Sequence, residues 1–221
     1  MPLTQEQIVI TAVALLDELG LEQLTLRRLA DELGVSAPTL YWHVDDKRHL
    51  LDLMVEEIYG RTKLTPSPVP GEPWWQWLMS NAHSMRRALI STRDAALVVA
   101  GNRPTERSFP YIEQMLHSLM LAGLAPHVAL KALRSLNDYV IGSAIEYQAI
   151  MARPISSQSE ATTASALRES DSFPVLRAAL GDPEQSLESI FEAGLRWFID
   201  GLRNDVGAGE TSTGTVAAQS V

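Results

Sequence analysis

Two helical patterns in this chain lie so close together that only a tight corner can join them. Leu26, Leu29, Ala30 and Leu33 repeat at helical intervals behind Thr25, a side chain suited to N-capping, and Gly34 supplies a stop. Ser36 can cap the next helix, so one further residue, Val35, separates the stop from the new start. Pro38 is tolerated there because first-turn amides have no intrahelical partner. The spacing predicts a helix running to about Val44. Two helices joined by a turn containing glycine form a helix-turn-helix, whose second helix is narrow enough to enter a DNA major groove.

Helices flank this pair. Thr4 and Gln7 make a capping-box pair before Ile8, Ala12, Leu15, Leu16 and Leu19, and Gly20 ends that run. Asp45 and Asp46 cap a further helix expected over 47–63. The stretch LTPSPVPGEP, residues 64–73, holds four prolines and a glycine and cannot continue a helix. Beyond it helices are expected over 74–91, 105–122, 126–151, 174–180 and 184–203, punctuated by Gly123, Gly181 and Pro183. No segment alternates as a strand does, and no solenoid-period repeat is present. The interval 153–172 and the stretch 204–221 are polar and small, and read as a mobile loop and a frayed tail. The expected fold is all-α. A three-helix helix-turn-helix domain occupies 1–63, a linker 64–73, a helical ligand-binding and dimerisation domain 74–203, and a flexible tail 204–221.

A formal net charge of −9 excludes a polybasic protein that coats nucleic acid through bulk charge. Residues 1–63 carry six Lys or Arg against eleven Asp or Glu, a balance of −5. Any DNA contact must therefore be local, with Asp17, Glu18, Glu22, Glu56 and Glu57 turned away. The absence of cysteine excludes disulfides and thiolate chemistry and fits a reducing compartment. The N-terminus lacks a basic region followed by an apolar run, and no stretch approaches the roughly 20 apolar residues of a membrane span. A cytoplasmic protein with no membrane partner is expected.

The segment VSAPTLYWHV answers the charge requirement, because no acidic residue occurs from Gly34 to Val44. Leu40 and Val44, four apart, are assigned to the buried face. So short a helix cannot bury Tyr41 and Trp42 as well, so at least one of them is exposed. Arg27 has the geometry for a bidentate contact to guanine, and Thr39, Tyr41, His43 and Lys47 for hydrogen bonds to phosphates. Ala37 and Pro38 offer apolar surface to a thymine methyl.

The run LTLRRLADELGVSAPTLYWHVDDKRHLLD resembles the DNA-binding domain of the Tet repressor (TetR) family. PTLYWHV with DKRHLLD is similar to the tetracycline repressors within it, and GEPWWQWLMSNAHSMRRAL, RDAALVVAGNRPTE and IGSAIE follow in that group's order. The resemblance implies a homodimeric, all-helical repressor that grips a palindromic double-stranded operator and is released by a small-molecule effector. By motif position it implies DNA contacts from Arg27, Pro38, Thr39, Tyr41, Trp42, His43 and Lys47. Leu26 and Ala37 depart from a threonine and a glutamine, so the operator sequence is expected to differ.

In the ligand domain the resemblance implies a magnesium-chelated drug bound through a histidine, a threonine and a partner-chain glutamate. The matching positions here are Val99, Asn102 and Glu146, and valine has no donor atom. Lys63, Met85, Met115 and Asp138 also replace drug-contacting residues, while Asn81, Arg103 and Pro104 match. The expected pocket groups Met85, Val99, Ile112, Met115, Leu130 and Leu133 around Asn81, Arg103 and Asp138, more apolar and not tuned to magnesium-tetracycline. No cofactor and no metal ligand is assigned. Arg103 and Asp138, if inside a helical core, contact the effector or pair with each other.

Trp74, Trp75 and Trp77 read as ordinary core, and His83, His117 and His127 show no metal-binding spacing. Dimerisation is expected through the helices at 126–151 and 184–203, where Gly142, Ser143, Ala144, Gly194 and Gly201 permit close approach. The loop GNRPTE after Ala100 is the candidate moving part. Three other readings stand beside this one: a ligand-dependent activator, a helical enzyme using Asp138, Glu146 and His117 for acid–base work, and a small-molecule carrier without DNA function.

Overall fold

The computed structural model describes residues 3–102, 105–153, 172–180 and 186–213. The described residues contain helices and turns and no strand. In chain order the helices are α1 (Gln5–Leu19), α2 (Leu26–Glu32), α3 (Ala37–Tyr41), α4 (Lys47–Gly60), α5 (Trp74–Ser91) and α6 (Ala95–Val99). After a 3-10 turn at Glu106–Ser108 come α7 (Phe109–Leu121), α8 (Pro126–Met151), α9 (Pro174–Leu180) and α10 (Leu187–Thr213).

The caps explain most of the starts. Thr4 and Gln7 form a reciprocal capping box, and Thr25 and Ser36 accept from the amides of Arg28 and Thr39. Of the two candidate aspartates before α4, Asp46 does the capping, accepting the His49 amide at 2.7 Å, while Asp45 turns to the His49 imidazole. Gly20 ends α1 at φ 82°, a conformation that favours glycine, and a Cβ there would stand 2.9 Å from Asp94 Oδ2.

Several boundaries differ from expectation. α3 stops at Tyr41 because Trp42 and His43 bond back three residues, to Thr39 and Leu40, and tighten the end into a 3-10 turn. α4 ends at Gly60, with Thr62 Oγ1 turned onto the Tyr59 carbonyl at 2.6 Å. The five residues of α6 had no periodic pattern long enough to announce them. At the C-terminus the expected frayed tail is helical as far as Thr213. The expected loop at 153–172 lies mostly outside the described residues.

One apolar core runs through both halves of the chain. Leu50, Leu53, Met54 and Ile58 on α4 are buried with Ile8, Ala12 and Leu16 of α1 on one side and Leu78, Ala82, Val98 and Val140 on the other. Among the tryptophans only Trp77 is fully buried, and Trp74 and Trp75 are half-buried and meet edge to face. The linker is fastened at one carbonyl. Thr65 O accepts from Trp77 Nε1 at 2.9 Å, Asn81 Nδ2 at 2.8 Å and Tyr111 Oη at 3.2 Å, and the Thr65 amide donates to Asn81 Oδ1.

A second fastening joins the α5–α6 corner to the end of α1. Asp94 takes a left-handed backbone conformation, φ 57°, and its Oδ2 accepts the Leu21 amide at 2.8 Å. Beside it Asp17 accepts the Arg93 amide, and Arg93 donates to the Glu18 carbonyl. Asp94→Ala should lower stability by about 1–3 kcal/mol, because it leaves a part-buried amide unpaired and puts alanine in a conformation it resists. Urea unfolding at equilibrium checks this.

Candidate nucleic-acid interface and ligand site

The short α3 has room for one inward side chain, and that is Leu40, fully buried, followed after the turn by Val44. Of its other residues only Thr39 is partly covered. Tyr41 is 53 % exposed and Trp42 87 %, so both aromatics are on the surface where the sequence required only one. Ala37 and Pro38 are exposed, and Thr39 and His43 are half-buried. Thr39 Oγ1 shares a 2.8 Å hydrogen bond with Ser36, and Gln5 Nε2 holds the His43 carbonyl. Arg27 is exposed at the start of α2. Lys47 is half-buried, and its Nζ donates to the Leu21 carbonyl at 3.3 Å.

Of the carboxylates that had to turn away from such a surface, three do so by contacts elsewhere. Asp17 bonds the Arg93 amide, Glu56 meets Ser108 and Arg107, and Glu57 pairs with Arg61 at 2.8 Å.

The expected ligand positions divide into three groups. Asn81 and Val99 are buried, and Met85, Met115 and Leu133 pack against the core, with Ile112 half-buried on α7. Asn81 spends its amide on the linker, and Asn102 donates to the Val98 carbonyl. Lys63, Leu130, Asp138 and Glu146 are exposed. Asp138 is therefore not the core carboxylate the sequence suggested, because its position on α8 faces outward. Arg103 and Pro104 of the GNRPTE loop lie outside the described residues. A cleft of about 440 Å³ opens between α4 and α5, lined by Arg61, Lys63, Ser84 and Arg87, and it contains only Lys63 of the expected set.

The acid–base trio of the enzymatic reading is dispersed on the surface: His117, Asp138 and Glu146 are all exposed. Burial pushes the Tyr111 hydroxyl up to about 12 and that of Tyr59 higher still, so both remain hydrogen-bond donors, to Thr65 and Asn137.

Sequence reasoning missed one cluster entirely. His83 on α5 meets Glu188 and Glu192 on α10, beside a buried Arg86 that bonds Glu188 and Ser143. Only the Glu188–Glu192 spacing of four was visible along the chain.

Two family models match the chain: bacterial regulatory proteins of the tetR family over residues 8–54, and the tetracyclin repressor-like C-terminal domain over residues 67–206. The chain belongs to the TetR family. It is a ligand-responsive transcriptional repressor with a DNA-binding helix-turn-helix and a helical effector domain. The class C tetracycline repressor of Escherichia coli is 35 % identical over 206 residues, covering 90 % of each chain. The class D repressor from the same organism is 39 % identical over 146 residues, 66 % of this chain and 67 % of the relative. Among solved structures, apo ActR of Streptomyces coelicolor superposes with a TM-score of 0.83 at 29 % identity, over 94 % of this chain and 98 % of that one.

The exposure of the α3 aromatics separates stability from function. Leu40→Ala should destabilise this TetR-family protein by about 2–5 kcal/mol, and Trp42→Ala by no more than about 0.5 kcal/mol. Thermal unfolding of the two variants checks the contrast.

Proposed function

We propose that this repressor binds a palindromic operator as a homodimer, with α3 of each copy in successive major grooves, and that a largely apolar, metal-free effector releases it. The observation that carries the DNA half is the surface of α3: Pro38, Tyr41 and Trp42 stand outward with no carboxylate between Gly34 and Val44. Arg27 reads a base edge, Ala37 and Pro38 face a thymine methyl, and Thr39, Tyr41, Trp42, His43 and Lys47 engage the backbone.

The dimer reading is supported by what α8 and α10 leave uncovered. Ile190, Trp197 and Gly201 form one exposed stripe on α10, with Trp197 74 % exposed, and Leu130, Asp138, Gly142 and Glu146 are exposed along α8. A second copy covers both. Leu130 and Glu146 then reach the effector site of the other subunit, which accounts for their exposure in a single chain. Gly194 has a different purpose from the one expected of it, since a Cβ there would collide with the Tyr139 ring of its own chain, 2.9 Å from Cζ.

Solved relatives carry varied ligands: the class A tetracycline repressor holds 5a,6-anhydrotetracycline with magnesium, and ActR holds actinorhodin. Residues here do not fit a magnesium chelate, because Val99 is 6 % exposed, packed in the core and without a donor atom. Met85, Met115 and Leu133, which pack against the same core, favour an apolar effector. Its binding changes the separation of the two α3 helices from the roughly 34–36 Å that successive half-sites demand. No catalytic step is assigned.

Footprinting upstream of the protein's own gene, with and without candidate effectors, tests this reading; no protected palindrome would overturn it. On the operator so found, Arg27→Ala should cost about 1–3 kcal/mol and relax specificity at one base pair, whereas Lys47→Ala should weaken all sequences alike and reduce the salt slope by about one. Sedimentation equilibrium should show a dimer, weakened by Trp197→Asp.

A further inference from the structure

His83, Glu188 and Glu192 belong neither to the DNA surface nor to the expected effector site. Their ligand atoms all lie within 4.8 Å of one another, and His83 Nδ1 is 3.4 Å from Glu192 Oε1. We propose that these three side chains form a binding site for a borderline divalent transition cation of the Zn²⁺ type, pinning α10 to α5.

The chemistry of the set selects the ion. One imidazole nitrogen with two carboxylates suits Zn²⁺ or Co²⁺, whereas Mg²⁺ and Ca²⁺ favour all-oxygen shells. A tetrahedral ion with bonds of about 2.0–2.1 Å holds its ligands roughly 3.3–3.5 Å apart, which the His83–Glu192 pair already matches. A ligand oxygen of Glu188 lies within 4.8 Å of the other two, and its side chain is 59 % exposed, so a side-chain adjustment completes the set.

The surroundings support a cation rather than a bare ion pair. Glu188 and Glu192 lie four apart on one face of α10, where like charges repel. Arg86 offsets this only in part. Arg86 is 3 % exposed, and its guanidinium is hydrogen-bonded to Ser143 at 3.1 Å, stacked 4.6 Å over the Phe191 ring and bonded to Glu188 Oε2. So fixed, it holds one oxygen of Glu188 and leaves the other for a metal, as second-shell partners of ligating carboxylates do. The His83 ring is set edge-on to the same Phe191, 5.6 Å away at 74°, which orients its nitrogens. A water completes the fourth position.

The test uses the full-length protein stripped with EDTA, titrated with Zn²⁺, Co²⁺ and Ca²⁺ by calorimetry, with thermal melting as a second readout. One Zn²⁺ per chain, a melting temperature raised by at least about 2 °C, and the visible bands of four-coordinate Co²⁺ are expected. His83→Ala and the near-isosteric Glu192→Gln should each weaken Zn²⁺ binding at least about tenfold while melting like the parent protein in EDTA. His117→Ala with His127→Ala, which removes two exposed histidines elsewhere, should leave the affinity unchanged. Undiminished binding in Glu192→Gln, loss of binding in the His117/His127 variant, or a response to Ca²⁺ with none to Zn²⁺ would each overturn the proposal. None of these readouts involves operator DNA, so they fail or succeed independently of the repressor mechanism.

Discussion

Helix α4 belongs to two cores at once, and the remaining architecture depends on that. Leu50, Leu53, Met54 and Ile58 are each no more than 7 % exposed, packed between α1 on one side and α5, α6 on the other. Complete burial of such a side chain is worth roughly 1.5–3 kcal/mol, so α4 cannot shift against either layer without leaving apolar surface in water. Its N-terminus is capped by Asp46, immediately after the turn that closes α3. The position of α4 therefore sets where the five-residue connection from α3 ends.

The polar fastenings act at the same joint. The Leu21 peptide is held at both ends, its amide by Asp94 from the α5–α6 corner and its carbonyl by Lys47 at the start of α4. Arg48 reaches the carbonyl of Gly101, at the edge of the GNRPTE segment. Two polar links thus join the effector domain to the DNA-binding layer, Asp94 to Leu21 and Gly101 to Arg48. Coupling of roughly 1–3 kcal/mol is typical between such sites, and a pair of charge-assisted hydrogen bonds is of that order.

How much of this was legible along the chain depends on the range of the cause. N-caps are local, and Thr4, Thr25, Ser36 and Asp46 all do what their positions suggested. Proline-rich 64–73 excluded a helix for an equally local reason. The end of α3 was overestimated because Leu40 and Val44 keep helical spacing through a 3-10 turn, which periodicity does not distinguish. Helix α6 is too short to show a period and is held in place by burial of Ala95, Ala96, Val98 and Val99. The exposure of Asp138 and Leu130 depends on which face of α8 meets α5, and apolar spacing along one helix does not say which face that is. The His83 cluster joins positions more than 100 apart, and nothing in either neighbourhood announces the other.

The acidity of the DNA-binding layer, which argued against its role, turns out to be part of how the layers are joined. Asp17 and Glu56 use their carboxylates on groups of the effector domain, the Arg93 amide and the side chains of Ser108 and Arg107. Each acid so used docks one layer on the other and is drawn away from the face that α3 presents. The segment that carries Tyr41 and Trp42 has no carboxylate from Gly34 to Val44, and Arg27 stands exposed on α2. With so few cations, attraction to phosphate is modest, and a duplex of the wrong sequence gains little from proximity. Contacts to base edges must then supply the rest of the affinity, so specificity rests on the few outward side chains of α3 and its neighbours.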